Sequence, residues 1–228
     1  MGKVQSTLTN MVLSLGVITM VAALLLGGVY ALTKDTIADA ECNAQVQAIS
    51  EVAPHFDNNP LDEQFVYVAK AGTKDSVEIV VYPAKFNGSL VGAAVKSVTK
   101  NGFSGEIEVM CGFDLDGTIR DYKVLKHTET AGLGSKMQEW FRTSKGSQNV
   151  IGLNPGKDDM RVRKDGGQVD AITAATISSR AFLDALCDAY NAFVDMQNND
   201  KKGVKLLKIS SRNLYQLVVE IFKYGKYV

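Results

Sequence analysis

The sequence predicts an α+β fold: a single N-terminal transmembrane helix followed by one mixed, mainly antiparallel α+β domain. Three observations carry that prediction. Residues 11–32, "MVLSLGVITMVAALLLGGVYAL", run for 22 positions without a charge. The middle of the chain alternates apolar and polar residues around two hairpin signals, Asn87-Gly88 and Asp116-Gly117. From Ser178 onward the apolar spacing is helical, through Phe182, Leu183, Leu186, Ala189, Tyr190 and Phe193.

At ~1.5 Å per residue, the uncharged run makes about 33 Å of helix, enough to cross a hydrocarbon core of ~30 Å. A cleaved signal peptide is the competing reading. Its apolar region is usually only ~7–15 residues long. Here no small-x-small site with a turn follows, and "TKDTIADAECNAQVQAISEV" continues in helical period. The expectation is an uncleaved anchor at 11–32, between a short segment at 1–10 and a helical connector at 33–54. Lys3 is the only charge before the span, and Lys34, Asp35 and Asp39 follow it. That balance favours a cytoplasmic N-terminus and an extracytoplasmic domain at 55–198.

Pro54 and "FDNNP" end the helical pattern in a turn, where His55 is expected to be solvated. "SVEIVVYPAKF" and "SLVGAAVKSVTK" flank Asn87-Gly88 as one hairpin. "GEIEVMCGFDLDGTIRDYKVLKHTE" reads as a second. "LGSKMQEWFRTSK" is a short helix with Met137, Trp140 and Phe141 on one side, read as core rather than ligand-stacking residues. After the loop "GLNPGKDDM", "RVRKDGG" reads as a short strand. The last helix is expected to be about four turns long, with Ser178 or Ser179 as its N-cap.

The formal net charge is zero, with 25 basic and 25 acidic residues, so no global field draws the chain to nucleic acid. Seven of the basic residues and one acid lie beyond residue 200, leaving 18 basic and 24 acidic residues before it. An acidic body with a basic, partly apolar tail (199–228) suggests that the tail meets a membrane surface or another protein of its own. The three cysteines, Cys42, Cys111 and Cys187, are dispersed, with no CxxC and no metal-ligand spacing. Cys111 and Cys187 read as small core residues.

The stretch "DAITAATISSR" then raises the chemical question. Thr176 falls at or just before a helix N-terminus, where unpaired amides and the positive end of the helix dipole favour a phosphate. Ala174 and Ala175 leave room for a bulky group against the backbone, and a hydroxyl can form a phosphoester. No base lies nearby in sequence, since Asp170 is six residues earlier. An external transferase would have to supply activation. The residues alone leave open whether Thr173 and Thr176 act chemically or only cap and turn.

"DAITAATISS" resembles the flavinylation motif of bacterial FMN-binding domains, Asp-x-x-[Ser/Thr]-Gly-Ala-Thr-x-[Ser/Thr]. The resemblance makes Thr176 the acceptor of an FMN phosphoester, with Asp170 and Thr173 as upstream motif residues and Ala174, Ala175, Ile177 and Ser178 around it. Ala174 stands where the family has glycine. "HTETAGLGSKM" resembles the His-x-Glu-Thr-Pro-Gly-Leu-Gly segment that lies beside the flavin in the same family, with Ala131 in place of proline. It implies His127, Glu129, Thr130, Gly132, Leu133, Gly134 and Lys136 as cofactor-site residues. "NGFSGEIEV" is similar to a generic strand start in the family and adds little. The resemblance runs over most of residues 1–195. It is strongest to the RnfG proteins of Rnf electron-transport complexes, with the NqrC proteins of sodium-translocating NADH:quinone reductases related.

That resemblance implies a covalent-FMN electron-relay subunit of an ion-translocating ferredoxin:NAD oxidoreductase in the cytoplasmic (inner) membrane. It has no catalytic residues of its own and no metal site. Its partners would be membrane subunits carrying flavin and iron–sulfur centres, a flavin transferase for maturation, and lipid. Two other readings differ in class or use: an anchored flavin donor to another extracytoplasmic reductase, and a non-redox adaptor that carries no flavin. A hydrolase built on His127 and Glu129 is the weakest, because no nucleophile or metal set accompanies them.

Overall fold

Residues 8–69 and 77–201 are described by a computed structural model, with side chains placed to residue 198. The N-terminal residues 1–7 and the basic tail from 202 onward lie outside the described residues.

The helix α1, Leu8–Val52, is continuous over 45 residues. Its apolar stretch leaves Leu13, Leu24, Leu25 and Leu26 exposed, a surface that is costly in water and at ease in hydrocarbon. Thr19 within it and Thr33 just past it do not break the pattern. Thr19 Oγ1 donates to the Leu15 carbonyl (3.0 Å) and Thr33 Oγ1 to that of Val29 (2.9 Å), so neither hydroxyl is left unpaired in a lipid environment. Among the described residues this is the one helix long and apolar enough to span a bilayer. It ends at Val52, two residues before Pro54.

The compact body begins at Val46. Its centre is a five-stranded antiparallel sheet in sequence order: β1 (Phe65–Ala69), β2 (Val77–Phe86), β3 (Ser89–Thr99), β4 (Ile107–Asp114) and β5 (Ile119–His127). Asn87 (φ 51°) and Gly88 (φ 76°) supply the two positive φ values of a tight hairpin between β2 and β3. β1 was not expected from the sequence; it is a five-residue edge strand.

Side-chain alternation sends two apolar sets to opposite faces of the sheet. One face carries Val81, Val95, Cys111 and Tyr122 in a single cross-strand row. It is covered by the helix α3 (Thr176–Lys201), which adds Phe182, Leu186 and Phe193. Phe182 stacks on Phe141 with ring centroids 4.6 Å apart and meets Tyr122 edge-on at 5.0 Å. The other face carries Tyr82, Ala84, Ala94 and Met110, and packs against Ala48, Ile49 and Val52 at the end of α1. Contact there is so close that a Cβ on Gly112 would meet the Val52 carbonyl oxygen at 1.9 Å. A covered sheet of this kind is an α+β domain.

Between β5 and α3 the chain makes a 3-10 turn (Gly134–Lys136), a one-turn helix α2 (Met137–Trp140) and a second 3-10 turn (Arg163–Asp165). Phe141 is fully buried, and the half-buried Trp140 donates its indole N–H to the Asp170 carbonyl at 2.9 Å. Two expectations need correction. The strand expected at "RVRKDGG" is absent: only a bridge between Val162 and Val169 forms. The chain turns instead, through Gly166 at φ 85°, and Asp165 docks on Arg180. The last helix is also longer than expected and starts earlier, at Thr176, so neither serine is its N-cap. Ser179 sits a turn inside, where its hydroxyl donates to the Ala175 carbonyl and accepts from the Ile172 amide, both at 2.9 Å.

Candidate functional site

The chain enters α3 through a tight turn. The Ala175 amide donates to the Ile172 carbonyl at 3.0 Å, and Ala174, the third residue of that turn, sits at φ 63°. Turns with positive φ at this position ordinarily carry glycine, because a Cβ there crowds the following carbonyl, at a cost of roughly 1–2 kcal/mol. The alanine therefore adopts the conformation that the motif's glycine would provide. The turn leaves Thr173 and Ala174 exposed and puts Thr176 in the first turn of the helix, where backbone N–H groups have no intrahelical acceptor.

One cavity of about 320 Å³ opens against this turn, within the ~300–1,000 Å³ range of small-molecule sites. Its lining joins Ala174, Ala175, Thr176, Ile177 and Ser178 to Glu129, Thr130, Leu133 and Gly134, so the two sequence motifs meet at a single wall. Phe103 completes it and is 67% exposed; Ile177 and Leu133 are 48% and 39% exposed. An exposed aromatic and two exposed aliphatics around one opening are the surface a flat apolar ligand would cover.

Glu129 fastens the walls together. It is 6% exposed, accepts the Ser178 hydroxyl on Oε2 at 2.5 Å, and accepts the Ser104 amide on Oε1 at 3.1 Å. One carboxyl thus ties the β5 end to the first turn of α3 and to the loop before β4. Two glycines make room for it. A Cβ on Gly134 would meet Glu129 Oε2 at 2.6 Å and Ser178 Oγ at 2.7 Å, and one on Gly102 would meet Glu129 Oε1 at 2.5 Å.

A second cavity, about 350 Å³, borders the residues that lead into this turn and has a mixed polar and apolar lining. Trp140, Gln148, Arg163, Lys164, Asp170, Ala171 and Thr173 line it. Here Asp170 is a structural clamp: its Oδ2 accepts the Ser147 amide at 2.8 Å and its Oδ1 pairs with Arg163 Nε at 3.3 Å. Lys164 Nζ donates to Thr176 Oγ1 at 3.3 Å. The neighbouring Asp165 is held in a bidentate pair with Arg180 at 2.6 and 2.7 Å, and that guanidinium keeps its carboxyl below the ordinary range.

Of the residues expected at the site, Glu129, Thr130, Leu133, Gly134 and Ala174–Ser178 line the first cavity, while Asp170 and Thr173 line the second. His127, Gly132 and Lys136 line neither. His127 ends β5 with Nε2 3.3 Å from Gln138 Nε2, and its buried Nδ1 has no partner among the described residues. Gly132 is the positive-φ corner of the loop at 76°, and Lys136 is exposed.

A family profile described as an FMN-binding domain matches residues 102–191, and one described as the RnfG N-terminal region matches residues 2–52. A Vibrio cholerae protein, named as the G subunit of an ion-translocating oxidoreductase complex, is 34% identical over 178 residues, covering 75% of this chain and 83% of that protein. This chain belongs to the RnfG family of ion-translocating oxidoreductase complex subunits. Proteins of the same name from Aliivibrio fischeri and Haemophilus influenzae show the same relation. The first is 32% identical over 79% of this chain and 88% of the relative. The second is 31% identical over 74% and 82%. Among solved structures, Shewanella oneidensis NqrC aligns with a TM-score of 0.40 at 19% identity, over 66% of this chain and 71% of that one.

In this RnfG family member, the sequence does not announce Phe103 at the first cavity or Trp140, Gln148, Arg163, Lys164 and Ala171 at the second, and Trp140, expected in the core, is half-buried there. Phe103 lies inside "NGFSGEIEV", a segment that reads as generic; its signal is a large apolar residue in a polar, glycine-rich loop. Lys164 has no local signal, since it reaches Thr176 only because the Arg163–Asp165 turn docks on α3.

Cys111, which is buried, and Cys187, which is half-buried, line neither cavity. Burial pushes the Cys111 thiol well above its ordinary range and that of Cys187 up to about 11, so both stay protonated at neutral pH.

Proposed function

We propose that this chain is the FMN-carrying electron-relay subunit of a membrane-bound ion-translocating ferredoxin:NAD oxidoreductase complex of the Rnf type, with FMN attached by a phosphoester to Thr176. The observation that carries this reading is the meeting of two separated motifs at one apolar-lined cavity that Thr176 helps to line.

FMN supplies one- and two-electron chemistry at its ring, and the protein supplies position and polarity. The residues present fit that group. Phe103, Leu133 and Ile177 offer apolar surface to a flat ring, and the turn at Ala174–Ala175 lets it approach the backbone. Glu129, through Ser178 and Ser104, holds the two motif loops at a fixed separation. Thr176 provides the tether, which removes the dissociation equilibrium and keeps the cofactor in a compartment where free flavin is scarce. No dinucleotide fingerprint occurs in the sequence, which suits a relay rather than a complete dehydrogenase.

In this reading residues 11–32 span the cytoplasmic membrane with the N-terminus in the cytoplasm, and the domain at 55–198 lies outside. Ferredoxin and NAD do not touch this chain. Its electron partners are other membrane subunits that carry flavin and iron–sulfur centres, and a flavin transferase loads it. The test is ultraviolet fluorescence of the denatured protein in a gel, for wild type and Thr176→Ala, made in cells holding the matching transferase. A fluorescent wild-type band that disappears in the variant supports the reading. An equally fluorescent variant moves the attachment elsewhere, and a wild type without flavin, covalent or extractable, returns the chain to the adaptor reading.

A further inference from the structure

We propose that Lys164 is the counter-cation of the Thr176 phosphoester: it orients the hydroxyl for loading and neutralises the phosphate that loading leaves there. This rests on the reading of Thr176 as the flavin acceptor.

Three observations lead to it. Lys164 Nζ donates to Thr176 Oγ1 at 3.3 Å. A lysine ammonium has only protons to give, so it occupies a lone pair of the hydroxyl oxygen and leaves the hydroxyl proton to be removed by another group. Lys164 also forms no ion pair among the described residues. The adjacent acid, Asp165, is turned away into its bidentate pair with Arg180, and the acid across the cavity, Asp170, is taken by Arg163 and the Ser147 amide. Finally, Lys164 and Arg163 line a cavity of about 350 Å³ that is distinct from the apolar one lined by Thr176 and Phe103, and the Lys164–Thr176 hydrogen bond links the two. A ring and an anion attached at Thr176 would thus each meet chemistry that suits them: apolar surface at Phe103, Leu133 and Ile177, and the Lys164 ammonium at the hydroxyl.

In the step that Lys164 serves, Thr176 Oγ1 attacks the flavin-side phosphorus of a flavin dinucleotide; the new O–P bond forms as the bond to the nucleoside monophosphate breaks. The leaving group departs with its electron pair, and the hydroxyl proton passes to a base of the transferase. No oxidation occurs, and the product is a phosphodiester with one negative charge beside Nζ. A compact, mobile ammonium suits a single phosphate oxygen, and a guanidinium keeps the charge.

The experiment uses the full chain in detergent, the purified transferase and FAD, with covalent flavin followed by intact mass over time. Wild type, Lys164→Arg and Lys164→Gln are compared, with thermal melting of each before loading. The expected result is loading of Lys164→Gln at least tenfold slower than wild type, recovery to within threefold in Lys164→Arg, and unchanged melting in both. Since Lys164 is exposed, Lys164→Gln is expected to fold. Equal rates for wild type and Lys164→Gln would overturn the inference while leaving Thr176 as acceptor. So would equal slowing of both variants, which would show that charge is not what matters. A wild type that takes no flavin at Thr176 sinks the underlying reading and this inference with it.

Discussion

The two cavities are bordered by successive residues of one segment, 170–173 and 174–178, and differ in almost every other respect. The first is lined by Phe103, Leu133, Ile177 and two alanines, with one buried carboxyl behind them. The second is lined by Arg163, Lys164, Asp170, Gln148 and an indole. The first is assembled from two sequence motifs, and the second depends on a 3-10 turn held to α3 by an ion pair. The difference teaches that one short segment can border two chemistries at once, joined by the Lys164–Thr176 hydrogen bond. Apolar area is available on one side for a ring, and cationic charge on the other for an anion.

The sharpest way to break the first side is Glu129→Ala. Ser178 and Ser104 would both lose their acceptor inside the protein, and the gap would sit behind Gly134 and Gly102. The expected cost is about 3 kcal/mol, read as a lowered urea midpoint, with poor covalent loading as a consequence. A loss under ~0.5 kcal/mol would show that Glu129 is not the clamp.

Ala174→Gly tests the turn itself. Relief of the positive-φ strain is expected to raise stability by about 1 kcal/mol, offset in part by glycine's greater chain entropy when unfolded. A destabilised variant would mean that the Ala174 methyl group makes contacts worth more than its strain. Phe103→Ala, by contrast, should change stability by less than ~0.5 kcal/mol, because the ring is largely exposed. Its effect belongs to the cofactor: the bound flavin's absorbance and fluorescence should shift as a stacking partner is lost. An unchanged spectrum would take Phe103 out of the site.

The smallest effect concerns the second side and depends on pH. The folded-state pKa of Asp165 is lowered by Arg180, so the stability it contributes is present above the ordinary carboxylate range and is lost as pH falls through the folded pKa. The melting difference between wild type and Asp165→Asn should therefore be small and favour wild type at neutral pH, then vanish on acidification through the carboxylate range. A difference that grows on acidification would contradict the pairing. Exposure keeps the effect modest, as for surface ion pairs generally.

What was legible in the sequence follows the same division. The hairpin at Asn87-Gly88 was readable because positive φ at two successive residues has a narrow chemical signature. The span and both motifs were readable because each is local. The start of α3 was misplaced because serine's capping preference lost to tertiary contacts: Ser178 turns inward to Glu129, 49 positions earlier, and Ser179 bonds back to Ile172. Phe103 is brought to the turn only by the fold of the sheet. Lys164 depends on the Asp165–Arg180 pair, whose residues are 15 positions apart. The edge strand β1 is five residues long, too short for alternation to announce it.

The central claim is that Thr176, where these two environments meet, carries the flavin. Mass spectrometry of proteolytic peptides from protein matured with its transferase tests it most directly. FMN phosphate is expected on the peptide containing Thr176, with fragment ions placing it on that residue. Flavin on Thr173 or Ser178, or a peptide that is never modified while FMN is recovered non-covalently, would contradict it.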